Sequence, residues 1–439
     1  MKIVMIGTGY VGLVSGICFA EMGHEVVCVD KDASKINALN SGQVPIYEPG
    51  LEDLLARNMT AGRLYFTTDL GAAAPGAEAA FIAVGTPERK EDGAADLSFV
   101  YAAARELSRV MDEGTVVVTK STVPVGTNRQ VARIVMGVRG ADRVDVASNP
   151  EFLRESVAIS DFMKPDRVVV GTETARARDL MAEIYQPLSR QGFPVITTDL
   201  ESAEIIKYAA NAFLATKITF INEIARLCEK VGADVERVSE GMGLDTRIGK
   251  KFLKAGPGYG GSCFPKDTSA LARTAQDAGA PMALVESVIE ANIRRKADMV
   301  EKITALLDGD LSGKRIAVLG VTFKPETDDM REAPSLAILP PLTAAGAELV
   351  IVDPQGRREG LRAFPGADWA DDAYEAAADG DLVILLTEWD DFRNLDLERL
   401  AQVMKEPHFA DFRNVYDATA ARSAGFTAYA SVGHPDFKI

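Results

Sequence analysis

Residues 2–30 read KIVMIGTGYVGLVSGICFAEMGHEVVCVD. KIVMIG (2–7) is a short apolar run, GTGYVG (7–12) is a glycine cluster, VGLVSGICFAEMG (11–23) carries small and apolar residues at helical spacing, and EVVCVD (25–30) is a second apolar run that closes on an acid. The order is strand, tight turn, helix, strand, which is a βαβ unit. Gly7 allows the tight turn, Gly9 lets the backbone approach a pyrophosphate, and Gly12 lets the helix pack on the strand. The helix that starts at Tyr10 and Val11 aims N–H donors and a positive dipole end at the phosphates. Asp30 falls 18 residues beyond Gly12. A carboxylate there accepts from ribose hydroxyls and repels a 2′-phosphate, which favours NAD over NADP; Lys31 and Lys35 weaken that preference slightly.

Outward from this unit, further β-rich runs follow: LYFTTDL (64–70), AAFIAVGTP (79–87), TVVVTKSTVP (115–124), RVDVASNPE (143–151) and RVVVGT (167–172). Helical patterns at 98–111 and 126–137 alternate with them, so a mostly parallel sheet covered on both faces is expected. From Glu201 to Val231 there is no Pro or Gly, and apolar residues occupy most of the helical circumference. That predicts one long helix buried on several sides, a common subunit interface. Helix-like sequence continues at 234–242 and 268–306, broken by KAGPGYGGSCFPKD (254–267). KRIAVLG (314–320), ELVIVDP (348–354) and DLVILLTEW (381–389) restart the strand pattern. Pro340 and Pro341 inside an apparent helix (335–345) predict a kink or an early end, and the last fifteen residues carry little signal. The expected fold is α/β: two Rossmann-like domains with parallel sheets, joined by a long central helix and an all-helical dimerisation domain. The boundaries fall at 1–198, 199–308 and 309–439.

Composition narrows the chemistry. The 439 residues carry 48 Lys+Arg against 64 Asp+Glu, a formal charge of −16. That excludes the electrostatic footprint of a general nucleic-acid binder. The apolar start is broken by glycines short of a membrane span and lacks the form of a secretory signal. Cys18, Cys28, Cys228 and Cys263 show no CxxC spacing, so neither a disulfide framework nor a zinc site is expected, and a cytoplasmic location is. Histidine occurs only at His24, His408 and His434, and none is read as near another metal ligand, so no metal is expected and a histidine base is hard to find. Catalysis then rests on Lys, Asp, Glu, Asn, Thr or Cys.

The densest signal is Gly256 to Asp267. Gly256, Gly258, Gly260 and Gly261 let a substrate come close to the backbone. Cys263 follows with Lys266 and Asp267, cation and acid beside a thiol, the setting of an activated nucleophile. The other three cysteines sit in apolar patterns and read as core. Lys207 and Asn211 stand four apart and project from one face of the long helix, either as a polar stripe on a cavity or as a snorkelling lysine and an exposed amide. NPEFLRE (149–155), KSTVP (120–124), GTP (85–87) and GVTFKP (320–325) all follow strands, where ligand loops of parallel sheets belong.

Taken together, GTGYVG, PIYEPGL (45–51), KSTVPVGT (120–127), NPEFLRE, KYAANAFLATKI (207–218), GPGYGGSCFPKD (256–267) and FKPETDDMRE (323–332) resemble the UDP-glucose/GDP-mannose dehydrogenase family, in order, from residue 1 to about 420. The resemblance implies a soluble, homodimeric, NAD-dependent oxidoreductase of polysaccharide biosynthesis. It would oxidise the C6 alcohol of UDP-glucose to UDP-glucuronate in two steps, through a covalent thiohemiacetal and thioester. GDP-mannose or UDP-N-acetylmannosamine are the alternatives; a single-step NAD dehydrogenase and a non-catalytic NAD sensor are more distant readings. By similarity Cys263 is the nucleophile, Lys207 and Asn211 stabilise oxyanions, Asp267 and Thr122 position water or manage protons, and Glu151 is an acid–base group. The same transfer places NAD on Gly7, Gly9, Tyr10, Val11, Gly12, Asp30, Lys35, Thr86, Thr122, Glu155, Lys266 and Arg331. It places the nucleotide sugar on Glu151, Phe152, Leu153, Arg154 and Glu155, on Lys207 and Asn211, and on Phe252, Leu253, Lys254, Ala255, Gly256, Tyr259, Gly260 and Lys324. Arg247 resembles an arginine that reaches the sugar site of the neighbouring subunit.

Overall fold

The structure, a computed structural model of the chain, describes residues 1–89, 93–140 and 144–439. Arg143, where the sequence reading starts a strand, lies outside them. The first sheet holds β1 (Lys2–Ile6), β2 (Glu25–Val29), β3 (Leu64–Thr67), β4 (Ala79–Ile82), β5 (Val116–Thr119), β6 (Val146–Ser148), β7 (Val168–Thr172) and β8 (Val195–Thr198), in the order β3-β2-β1-β4-β5-β6-β7-β8. Its neighbours pair in parallel except β6 with β7. β1 shows why an unbroken apolar run is required. Ile3 and Met5 enter one apolar cluster, Val4 and Ile6 the other, so both faces are covered. The turn into the helix Tyr10–Glu21 needs its third glycine: a Cβ on Gly12 would stand 2.0 Å from the Gly7 carbonyl oxygen.

The second sheet repeats the plan with β9 (Arg315–Leu319), β10 (Glu348–Val352), β11 (Asp368–Trp369), β12 (Leu382–Leu385), β13 (His408–Asp411), β14 (Ala428–Ser431) and β15 (Phe437–Lys438), in the order β11-β10-β9-β12-β13-β14-β15. Here the antiparallel pair is β14 with β15. The last fifteen residues, read as nearly silent, therefore contribute two short strands; four and two residues are too few to show a period.

The helix Leu200–Val231 runs unbroken for 32 residues, about 48 Å. Phe213, Phe220 and Leu227, seven apart, form an exposed apolar stripe on it. Val235–Gly243, Phe264–Asp277 and Ala283–Leu306 complete the helical region. The stretch 268–306, read as one helical run, is two helices separated at 278–282, where Gly279 takes φ +71° and Pro281 follows. The expected break at Pro340 and Pro341 is also corrected: the helix Pro334–Ala344 continues through both. The carbonyls they leave without an N–H partner belong to Leu336 and Ala337, both exposed, so water can satisfy them.

The chain divides into two units, Met1–Ala210 with Arg273–Ala280, and Asn211–Ala272 with Pro281–Ile439. Among the described residues no helix is long and apolar enough to cross a membrane. His434, read as remote from other metal-ligand types, is corrected as well: folding brings it within 4.8 Å of exposed Asp234 and Glu236.

Candidate active site

In the first unit, β1, β4, β5 and β6 lie side by side and parallel, so the loops after them share one edge. Asp30 Oδ2 accepts from the Thr8 N–H (2.8 Å) and the Thr8 hydroxyl (2.7 Å), and Oδ1 accepts from the Asp32 N–H (3.0 Å). Burial works to raise its carboxyl, but these donors, with Lys35 nearby, hold it below the usual range. Lys35 stands partly exposed on the helix Ala33–Asn40. Thr86 donates to the Thr122 carbonyl (3.0 Å), which joins the ends of β4 and β5. The Tyr10 hydroxyl donates to Glu48 and accepts from the Ser156 N–H (3.2 Å), tying the segment 45–51 to the loop after β6. Burial, Glu48 and Glu155 push that phenol up.

That loop holds Glu151, which is buried. Its Oε2 accepts from the Leu153 N–H (2.5 Å) and its Oε1 faces Lys207 Nζ at 3.3 Å. The Phe152 ring carries Arg167 at 3.5 Å and Lys207 at 5.4 Å. Arg154 points away, into an exposed ion pair with Asp161 (2.6 Å). Lys120 opens the KSTVP motif (120–124), where the sequence gives it no part of its own. The structure buries it, with Nζ on Asn149 Oδ1 (3.2 Å), and desolvation pushes its ammonium down to about 8.

In the second unit, Cys263 stands half-buried at the start of the helix Phe264–Asp277, its carbonyl accepting the Asp267 N–H (2.8 Å). Ser262 Oγ lies 3.6 Å from its sulfur. Asp267 is buried; Oδ2 accepts from Asn211 Nδ2 (2.6 Å) and Oδ1 pairs with Lys266 Nζ (2.9 Å). Lys207 and Asn211 are thus no snorkelling pair: both are buried and each holds a carboxylate.

The glycine loop is pressed against the segment 323–333. A Cβ on Gly260 would stand 2.3 Å from the Glu332 carbonyl, one on Gly261 2.8 Å from the Phe323 ring, and the Gly261 N–H donates to the Arg331 carbonyl (2.9 Å). Leu253, Ala255, Gly256 and Tyr259 are buried, Phe252 packs on Phe264, and Lys324 lies over the Phe323 ring (5.4 Å). Arg331 turns its guanidinium to Asp329 (2.8 Å). Two residues here were missed: Glu388 and Arg413. Glu388 pairs with Lys254 (3.3 Å) and Arg413 (3.2 Å), which against the effect of burial hold its carboxyl down to about 2. Arg413 also donates to the carbonyls of Leu386 (2.5 Å) and Phe323 (3.1 Å). Their one signal is position, at the ends of β12 and β13. Arg247 joins none of these groups; it is exposed and paired with Asp245 (2.6 Å).

The first unit fits a dinucleotide. The helix after the turn has no side-chain cap and no acid in its first turn, so its N–H donors are left for an anion, and a Cβ on Gly9 would meet nothing within 4 Å.

Residues 1–189, 201–294 and 317–418 match, in turn, the NAD binding, central and UDP binding domains of the UDP-glucose/GDP-mannose dehydrogenase family. The chain is 56% identical to UDP-glucose 6-dehydrogenase of Rhizobium meliloti over 438 residues, covering 99% of this chain and 100% of that one. It is 48% identical to the Bacillus subtilis UDP-glucose 6-dehydrogenase TuaD, covering 99% and 93%. Among solved structures, a UDP-glucose dehydrogenase from Pyrobaculum islandicum superposes with a TM-score of 0.91 at 38% identity, covering 99% and 98%. The sheet topology, the dinucleotide turn and the cysteine loop accord with these matches: the chain belongs to the UDP-glucose/GDP-mannose dehydrogenase family.

Proposed function

We propose that the chain oxidises UDP-glucose to UDP-glucuronate with two NAD and one water, and that Cys263 holds the half-oxidised sugar. The observation that carries this reading is the group around Cys263: a thiol at the N-terminus of a 14-residue helix, with Lys266, Asp267 and Asn211 linked behind it. A helix N-terminus favours negative charge on sulfur. NAD, when bound, supplies the acceptor for the two hydrides. Asp30, Lys35 and the N–H groups at Gly9 to Val11 hold it, with Thr86, Thr122, Glu155, Lys266 and Arg331 along its length. The sugar nucleotide takes residues 151–155, 252–256, Tyr259, Gly260 and Lys324. Relatives from 43% to 56% identical are named UDP-glucose 6-dehydrogenases, which favours this sugar over GDP-mannose or UDP-N-acetylmannosamine.

The Cys263 sulfur adds to the C6 aldehyde formed in the first oxidation, and the carbonyl oxygen becomes the oxyanion of a thiohemiacetal. Lys207 and Asn211, one helical turn apart, donate to that oxygen; a lost donor of this kind typically costs about 2.7–4 kcal/mol. Loss of the second hydride leaves a thioester. Water, positioned by Asp267 and Thr122 and activated by Glu151, displaces the sulfur and yields the carboxylate. We assign residues 1–198 to cofactor binding, 199–308 to dimerisation and 309–439 to the UDP-sugar. The exposed stripe Phe213, Phe220, Leu227 is the contact of a cytoplasmic homodimer that brings Arg247 to the partner's sugar site.

The test counts NADH released per UDP-glucose consumed by the full chain. About two are expected, and Cys263→Ser should lower kcat by at least ~10³-fold while still binding UDP-glucose. A ratio of one, or normal turnover by Cys263→Ser, sinks the reading.

A further inference from the structure

In the second unit a cleft of about 60 Å³ runs between the helices Leu200–Val231 and Ala283–Leu306. That is room for a few water molecules or one compact group. Thr219, Asn222 and Arg226 line it from the first helix, Asn292, Arg294 and Arg295 from the second. Two of these side chains are buried with unspent capacity: Arg295 Nη2 and Thr219 Oγ1 have no hydrogen-bond partner among the described residues, at 4% and 7% exposure. Leaving a buried guanidinium N–H unmet is costly, and burial pushes that guanidinium down from its ordinary value. Asn222 spends its Oδ1 on the Gly256 N–H (2.9 Å), so its two amide hydrogens are also left over. Arg226 is exposed at the rim of the cleft. The lining holds three arginines against Glu223 and Asp298, a net +1 on a chain of −16.

We propose that this cleft binds a compact oxyanion, the phosphoryl or carboxylate group of a small molecule, with Arg295, Thr219 and Arg226 as its donors. An oxyanion carries several lone pairs and can accept from more than one donor, and charge-assisted bonds to guanidinium are the strong kind. The site also has a mechanical connection. Arg295 Nε donates to the Gly256 carbonyl (3.0 Å) and Asn222 accepts from the Gly256 N–H. Asn292 holds Tyr259 in the same way, through its N–H (2.8 Å) and its carbonyl (3.1 Å). An anion drawing on Arg295 therefore draws on the side chain that fixes the glycine loop. That consequence rests on the reading of the loop as sugar-binding; the binding itself does not.

The experiment is calorimetric titration of the full chain with inorganic phosphate at constant ionic strength, in the presence of NADH and UDP, which fill the nucleotide sites. One phosphate per chain is expected. Thr219→Val and Arg226→Gln, neither in the catalytic machinery, should each weaken it roughly tenfold. A parallel titration with acetate separates the two classes: tighter phosphate assigns a phosphoryl group, tighter acetate a carboxylate. Absence of saturable heat with both anions overturns the proposal. So does equal affinity in wild type and both variants, or a crystal structure in which a second copy's side chain fills the cleft. Turnover enters none of these readings, so a chain that failed to oxidise UDP-glucose would leave them unaffected.

Discussion

After β1 the chain turns through Gly7, Thr8 and Gly9, and Asp30 follows β2; after β9 it turns through Gly320, Val321 and Thr322, and Asp353 follows β10. The two carboxylates sit at matching places in the two sheets, yet they differ in what they have left to give. Asp30 is half-buried and accepts three hydrogen bonds. Asp353 is 7% exposed and accepts five: from the N–H groups of Val321 (2.6 Å), Thr322 (3.1 Å), Gln355 (3.0 Å) and Gly356 (2.6 Å), and from the Thr322 hydroxyl (3.3 Å). An ionised carboxylate offers about four lone-pair sites, so Asp353 has none for a ribose. The helices differ too. One starts at Tyr10, directly behind the first turn, whereas the next helix after β9 starts only at Pro334, so the second turn has no helix N-terminus for a pyrophosphate. The same turn-and-acid plan serves as a cofactor handle in one sheet and as a backbone clamp in the other.

The sharpest way to break this comparison is to remove both acids. Asp353→Ala leaves five donors without their acceptor, and we expect a loss of stability on the order of 3–5 kcal/mol. Trp369 and Trp389 are the two tryptophans of the chain and both belong to the second unit, so urea unfolding followed by their fluorescence reads this unit directly. Asp30→Ala lies in the first unit, which has no tryptophan, so far-ultraviolet circular dichroism must read it, and it should move stability by only about 1 kcal/mol. Equal losses in the two variants would show that Asp30 is a clamp as well.

Asp30→Ala should instead act on the cofactor. Hydrogen bonds to a charged acceptor are worth about 1.5–3 kcal/mol, so KM for NAD should rise roughly tenfold to a hundredfold. NAD kinetics in Asp30→Ala check this, and an unchanged KM would remove the handle reading. Asp353→Asn, which keeps one acceptor oxygen, should leave KM for NAD where it was.

How far the sequence disclosed these features depended on whether the cause was local. The turn at Gly7–Gly12 was legible because its steric demand falls on residues next to one another, and the loop 256–267 because four glycines in six residues have few other uses. Arg413 and Glu388 were not legible. Each is a single charged residue after a strand, and their meeting depends on β12 pairing with β13, a register that no local pattern contains. Asp353 was hidden for the same reason, since its donors come from two separate loops. The helix through Pro340 and Pro341 failed in the opposite sense: the local rule was clear, but exposure of the orphaned carbonyls cancelled its cost. The cysteine's neighbours were half legible. Lys266 and Asp267 adjoin it in sequence, while Asn211 reaches Asp267 only in the fold.

The finest difference between the two turns is carried by their threonines. Thr8 and Thr322 are both 1% exposed, and each hydroxyl donates to its acid, at 2.7 Å and 3.3 Å. In the first turn that bond is one of three, and it fixes the carboxylate that would meet the ribose. In the second it is the longest of five, and the Thr322 N–H remains on Asp353 after the hydroxyl is gone. Replacement by valine removes the donor at nearly constant volume. Thr8→Val should therefore cost about 1 kcal/mol of stability, because a short charge-assisted bond is lost. It should also raise KM for NAD about threefold, because Asp30 gains freedom it must lose again on binding. Thr322→Val should cost about 0.5 kcal/mol and leave KM for NAD unchanged, since a clamp with four remaining bonds holds its geometry. Denaturation midpoints and the two KM values in the paired variants decide it. A cofactor effect from Thr322→Val, or none from Thr8→Val, would mean that the hydroxyl does not set the carboxylate, and the distinction between handle and clamp would then rest on the backbone donors alone.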